Sequence, residues 1–169
     1  MFSPLANFLE EYKQIIGFLK EKEQFSLVNS INHHFRKLYL LYCSSYYEKE
    51  ITDMIKQFIS TNSNDDRVLA FITNKAIERQ YHTYFNWEKK NINQFLGLFG
   101  AEFKDKVSNE IKSNDNLSAQ AEAFLAIGKE RNMMVHQNFL DYQLGKTFEE
   151  LVLLNEKTSA FIEYLRTKF

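Results

Sequence analysis

Apolar side chains recur along most of this chain at intervals of three and four, the repeat of one helix face. Leu5, Phe8, Leu9, Tyr12, Ile15, Ile16 and Leu19 form such a stripe and predict a helix to about Lys22. Ser3 and Pro4 suit its start: a capping hydroxyl, then a proline whose missing N–H costs nothing at the first helical position. A second, longer helix is predicted from about Leu27 to Ser60, with Ile31, Leu38, Leu41, Tyr42, Ser45, Ile51, Ile55 and Phe58 in its stripe. TNSNDD at 61–66 reads as a linker with capping residues, after which RVLAFITNKAIERQYHTYF resumes helical spacing. The pattern fragments in FNWEKKNINQFLGLFGAEF, where Gly97 and Gly100 mark turns or close packing. KSNDNLS at 112–118 is a polar loop whose Ser118 can cap a helix carrying Ala121, Phe124, Leu125, Gly128 and Val135. After a break at Gly145, Thr147 and Glu150 have the T-x-x-E spacing of a capping box, ahead of Leu151, Leu154, Phe161 and Leu165. The pattern predicts an all-α bundle with a long second helix and no internal repeat.

Composition narrows the picture. A length of 169 residues makes a single domain over 1–169, and an apolar fraction of 44% is enough for a sizeable core. One proline and five glycines are too few for a protein of many strands and turns. The net charge of −1 provides no broad basic field, so any contact with nucleic acid needs a local cluster of cations. The lone Cys43 has no internal partner and sits in an apolar run, which favours a reducing, cytosolic setting. MFSPLANFLEEYK lacks the basic-then-apolar order of a signal peptide, and LYLLYCSSYY at 38–47 is too short and too polar to span a bilayer. No membrane association is expected.

Most chemical motifs find no support. His33 and His34 are adjacent and point to different faces of a helix, whereas metal ligands on one face want a spacing of three or four. His82 has no nearby Cys or second His and reads as a solvent-facing or interfacial histidine. There is no phosphate loop, no strand followed by G-x-G-x-x-G and no G-x-S-x-G elbow, and no local signature pairs Cys43 with a histidine. Neither a metal nor another cofactor is expected. Tyr46, Tyr47 and Tyr142 read as packing residues with a wet edge.

What remains is KERNMMVHQNF at 129–139, with Arg131 and His136 five positions apart. On an ideal helix five residues rotate roughly 500°, which leaves the two side chains roughly 140° apart. Asn132 and His136 share a face, so the amide can orient the imidazole. Arg131 and His136 can serve one site if the helix ends near His136 and bends inward, or if two copies of the segment meet across a twofold axis. The second arrangement is preferred, because it concentrates positive charge on a chain with almost none overall. The competing reading is a solvated arginine and a capping histidine near a helix C-terminus, where cations are favourable. Met133, Met134 and Val135 are expected to pack in the core or at a dimer seam.

R-N-x3-H near the start of the last third of an all-α chain resembles the R-x4–6-H motif of the HEPN superfamily. The branch it looks most like is the RiboL-PSP-type HEPN domain, through SSYYEKEITDMI, FNWEKKNINQFLGLFGAEF and ERNMMVHQNF followed by a capped helix. The resemblance spans roughly residues 25–169 and so divides the chain into an N-terminal helix within 1–24 and a HEPN-like core over 25–169. It implies a helical bundle, commonly dimeric, and a metal-independent ribonuclease of the kind found in toxin–antitoxin and phage-defence systems. Arg131 matches the motif arginine, Asn132 the polar residue after it and His136 the motif histidine, while Glu48 lies where the branch has an acidic residue on its long second helix. Gln137 stands where many relatives have glycine. Asn138 stands where antitoxin-modified members have tyrosine, which argues against regulation by nucleotidylation there.

The implied reaction is attack of an RNA 2′-hydroxyl on the adjacent phosphate, leaving a 2′,3′-cyclic phosphate. His136 would move a proton and Arg131 would hold the phosphate oxygens, with Asn132 and Glu48 in support or touching the RNA. The expected partners are RNA, a second copy of the chain and a restraining antitoxin or defence protein. The alternatives are a HEPN-like module that binds RNA or protein without cutting, and a purely structural oligomerisation domain.

Overall fold

The computed structural model describes residues 3–169, with side chains from Leu5 onward, so the expected roles of the Ser3 and Pro4 side chains lie outside what is described. Among the described residues there are helices and no strands. Helix α1 (Ser3–Glu21) and the long α2 (Phe25–Asn62) meet the expected bounds within two residues. Leu5, Leu9 and Ile16 of α1 are buried as the three-four pattern requires. Leu5 and Leu9 join the same core as Tyr39, Cys43, Tyr47 and Ile51 of α2.

The segment after α2 departs from the continuous helix expected over 67–85. Helix α3 (Asp66–Ile72), started by the Asp65 carboxylate accepting from the Arg67 amide, passes into a π-helical turn at Thr73–Ile77. The chain then breaks, with Glu78 extended and Arg79 at φ +61°, before the single turn α4 (Tyr81–Tyr84). The break lets Ile77, Tyr81, Tyr84 and Phe85 all reach the core. The Tyr84 hydroxyl donates to the Ala76 carbonyl, which the broken helix leaves free.

Short α5 (Asn93–Gly97) and α6 (Ala101–Lys112) follow, joined through Gly100 at φ +103°, a conformation that favours glycine. Helix α7 (Asp115–His136) begins three residues before the expected cap. Asn114, not Ser118, accepts from a backbone amide, that of Leu117 at 3.0 Å. Both residue types cap well, and the earlier start gives α7 an extra turn that buries Leu117. Helix α8 (Phe148–Arg166) opens with the expected capping box between Thr147 and Glu150.

Helices α7 and α8 form the most extensive pair, and α2 lies against α1, α7 and α8. An aromatic chain ties the short middle elements to this frame: the Phe85 ring lies 4.9 Å from both Phe95 and Phe124, and Phe124 lies 5.9 Å from Phe161. Tyr47 is buried with its hydroxyl donating to the Asn155 carboxamide at 2.6 Å, a packing role with a satisfied polar end.

One register detail reverses the sequence expectation on α2. Leu38 is 46% exposed, while its neighbour Lys37 is completely buried. The Lys37 ammonium donates to the Phe139 carbonyl at 2.7 Å and the Leu140 carbonyl at 3.2 Å, and lies 5.2 Å from the Phe139 ring centre. Arg36 beside it donates to the Lys146 carbonyl at 2.7 Å. Two consecutive cations therefore grip both ends of the strap 137–147 that joins α7 to α8.

Candidate active site

Arg131 and Asn132 stand on the last two turns of α7, three and four residues beyond Gly128. The first requirement of the site is that glycine. A Cβ built on Gly128 would lie 1.9 Å from the Trp87 ring, so only a bare backbone lets the indole lie flat on α7. Trp87 packs against Tyr81, Phe85 and Phe124 and donates its indole N–H to the His82 carbonyl at 3.1 Å. The next carbonyl, that of Thr83, accepts from the Gln94 amide at 2.6 Å. The short α4 is thus held beside α7 by its backbone.

Across from it, α2 presents Ser44, Tyr47 and Glu48 at a spacing of three and four. These elements close a small cleft whose polar lining is Ser44, Glu48, His82, Arg131 and Asn132 over an apolar floor that includes Phe124 and Ile127. Glu48, expected from the resemblance to share the site, does line it with Arg131. The Asn132 carboxamide oxygen accepts from an Arg131 Nη at 3.2 Å. Among the described residues Arg131 forms no ion pair, so its guanidinium retains donors for an anion.

Burial, then the Arg131 charge, then His136 depress the His82 pKa, and Glu48 opposes them. The same pair acts on the fully buried Tyr81 hydroxyl: burial raises its pKa first, Glu48 adds to the rise and Arg131 works against it. Arg131, Glu48 and His136 therefore all lie within electrostatic reach of His82.

His136 occupies a different position from Arg131. It is the last residue of α7, exposed, and does not line the cleft. The helix does end there, but the chain leaves in an extended conformation at Gln137 (φ −94°, ψ 167°) rather than bending into the cleft. Any residue adopts that backbone, so Gln137 meets no need for glycine there. Asn138 makes a local turn, donating to the Asp141 carboxylate at 2.6 Å and accepting from the Leu140 amide at 3.3 Å. Asn132 spends its carboxamide oxygen on Arg131, and among the described residues no hydrogen bond joins it to His136.

His82, read from the sequence as a solvent-facing or interfacial histidine, is exposed and stands at the edge of this cleft. It carries no spacing motif, and the only local hint is a lone imidazole within the aromatic run YHTYFNW. The other histidines stand elsewhere: His33 lines a polar hollow with Tyr12, Asn32 and Arg36. Cys43 is buried, and burial pushes its thiol pKa up to about 12, a packing thiol rather than a nucleophile. Among the described residues no cluster of three or more His, Cys, Asp or Glu is arranged to hold a metal, and no helix is long and apolar enough to cross a membrane.

An all-α bundle with an arginine-bearing cleft on its penultimate long helix defines the class. The profile of the RiboL-PSP-HEPN family matches residues 6–169, and the chain belongs to that family. The match takes in α1 as well as the part recognisable by its motifs, in keeping with Leu5 and Leu9 lying in the common core. No match was found among curated proteins or among solved structures.

Proposed function

We propose that this chain is a metal-independent endoribonuclease of the HEPN type, active as a twofold dimer and serving as a toxin or phage-defence effector restrained by a partner protein. The observation that carries the reading is the Arg131 guanidinium, in no ion pair among the described residues, in a cleft shared with Glu48 and His82. A planar fork of donors fits the non-bridging oxygens of a phosphodiester as charge builds on them. An imidazole near that phosphate can move one of the two protons that the transfer requires. In this reaction the 2′-oxygen bonds to phosphorus, the bond from phosphorus to the 5′-oxygen breaks, and a 2′,3′-cyclic phosphate and a 5′-hydroxyl result.

The dimer draws support from the surface around His136. Val135 is 43% exposed and Leu140 68% exposed, apolar side chains flanking His136 in sequence that a second copy would cover. Facing copies of this end of α7 would bring a second Arg131 and His136 to the same phosphate.

The test is cleavage of single-stranded RNA by wild type, Arg131→Ala and His136→Ala, with and without EDTA, alongside sedimentation to read the oligomer. The nuclease reading expects wild-type cleavage that survives EDTA and yields cyclic phosphate ends, with each variant folded and slower by about 10²-fold or more. Expression toxicity relieved by His136→Ala is the matching result in cells. The placement of His136 outside the cleft lining favours a second reading, an RNA- or protein-binding module without catalysis. Tight RNA binding by a wild type that never cuts would establish it instead.

A further inference from the structure

Transesterification at a phosphodiester needs a base for the 2′-hydroxyl and an acid for the 5′-oxygen, and the motif histidine supplies one imidazole per chain. A second imidazole stands in the same chain. His82 lines the cleft with Arg131, whereas His136 stands outside the lining at the end of the helix. Its carbonyl is fixed by the Trp87 indole and that of the next residue by Gln94, so α4 is anchored on both sides of the ring. The charged groups that act on it come from two elements, Glu48 from α2 and Arg131 and His136 from α7, and the Tyr81 ring lies 5.5 Å from it on its own turn.

We infer that His82 is a second catalytic imidazole of this site, accepting the 2′-hydroxyl proton while His136 delivers a proton to the departing 5′-oxygen. The assignment rests on the nuclease reading above. Proton and electron balance are complete without another reactant. The lone pair of the neutral imidazole takes the hydroxyl proton, the freed oxygen attacks phosphorus, and the imidazolium of His136 protonates the alkoxide as its bond to phosphorus breaks. Burial and the neighbouring Arg131 favour the neutral form of His82, the form a base needs. Glu48 acts against that depression.

The experiment compares His82→Ala, His82→Gln and His136→Ala on two substrates, with far-UV circular dichroism to verify folding. On RNA, both His82 variants are expected to lose about 10²–10⁴-fold in kcat/KM. They should also lose the acidic limb of the pH profile, which in wild type falls below the ordinary imidazole range. On uridine 3′-(4-nitrophenyl phosphate), whose leaving group needs no proton, His136→Ala should recover most of its loss and the His82 variants should not. The reverse pattern overturns the assignment. So does wild-type cleavage by His82→Ala with an unchanged pH profile while Arg131→Ala and His136→Ala are inactive, a result that leaves the nuclease reading standing. A wild type that cuts neither substrate fails the nuclease reading itself, and the proton-transfer role with it. An independent measurement uses the wild-type protein and the uncleavable deoxydinucleotide thymidylyl-thymidine: the His82 imidazole NMR signal should move on binding, and Arg131→Gln should raise its pKa. A silent His82 signal in an active enzyme overturns the inference.

Discussion

Replacing Gly128 with alanine tests the steric premise of the site. Alanine is the better helix former by about 1 kcal/mol, so a surface glycine in α7 would be improved by the change. Here the added methyl would sit 1.9 Å from one atom of the Trp87 ring and 2.2 Å from another, and a rigid indole cannot yield at one edge. The ring must leave its seat. It would give up contacts with Tyr81, Phe85 and Phe124, each worth about 0.5–1.5 kcal/mol beyond area, and the bond to the His82 carbonyl, about 1 kcal/mol. Against the helix gain the balance is a net loss of about 2–4 kcal/mol, a fall in Tm of about 5–15 °C for a chain of this size. Trp87 is the sole tryptophan, so intrinsic fluorescence reports its environment directly. Gly128→Ala should melt earlier, shift its emission to the red and lose cleavage, because the anchor of α4 goes with the ring. Gly97→Ala is the control, since the nearest atom to its added methyl is a Lys104 side-chain carbon at 3.9 Å. A Gly128→Ala protein as stable as wild type, with unchanged emission, would refute the reasoning.

Two further outcomes follow from single contacts. Lys37→Met removes a buried ammonium but strands the Phe139 and Leu140 carbonyls; the terms oppose each other and leave a net loss of about 1–3 kcal/mol in urea unfolding. Limited proteolysis should then nick the strap 137–147 before the rest of the chain. The Lys168 ammonium and the Tyr164 hydroxyl hold the Glu110 carboxyl below the usual carboxylate range. A carboxyl depressed in the folded state stabilises above its unfolded pKa and loses that contribution as pH falls through its folded value. Urea midpoints between about pH 3 and 6 should therefore fall more steeply in wild type than in Glu110→Gln.

Helix content, the α8 capping box and the turn at Gly100 were legible in the sequence, because each depends on residues within one turn of one another. The start of α7 was not, because Asn114 and Ser118 are both competent caps and only the packing of Leu117 decides between them. The inversion at Lys37 and Leu38 was hidden for a different reason: the acceptors that justify a buried ammonium come from a strap about a hundred residues away in sequence. Arg131 and Asn132 stood out by their spacing to His136 and Glu48 only through a resemblance, and the cleft the three share follows from α2 lying along α7. His82 is brought in only by the break at 78–80, which no periodicity announces.

At residues 139, 140 and 146 the strap after His136 is gripped through its peptide oxygens, while Tyr142 and Leu144 pack it into the core. At 140 and 146 those bonds do not depend on which residue supplies the oxygen, since a carbonyl is the same on each, whereas at 139 the Phe139 ring also meets the Lys37 ammonium. The outward-facing side chains of that loop are consequently released from the task of keeping the loop in position. Such a segment can change its chemical face while α7 ends where it did before.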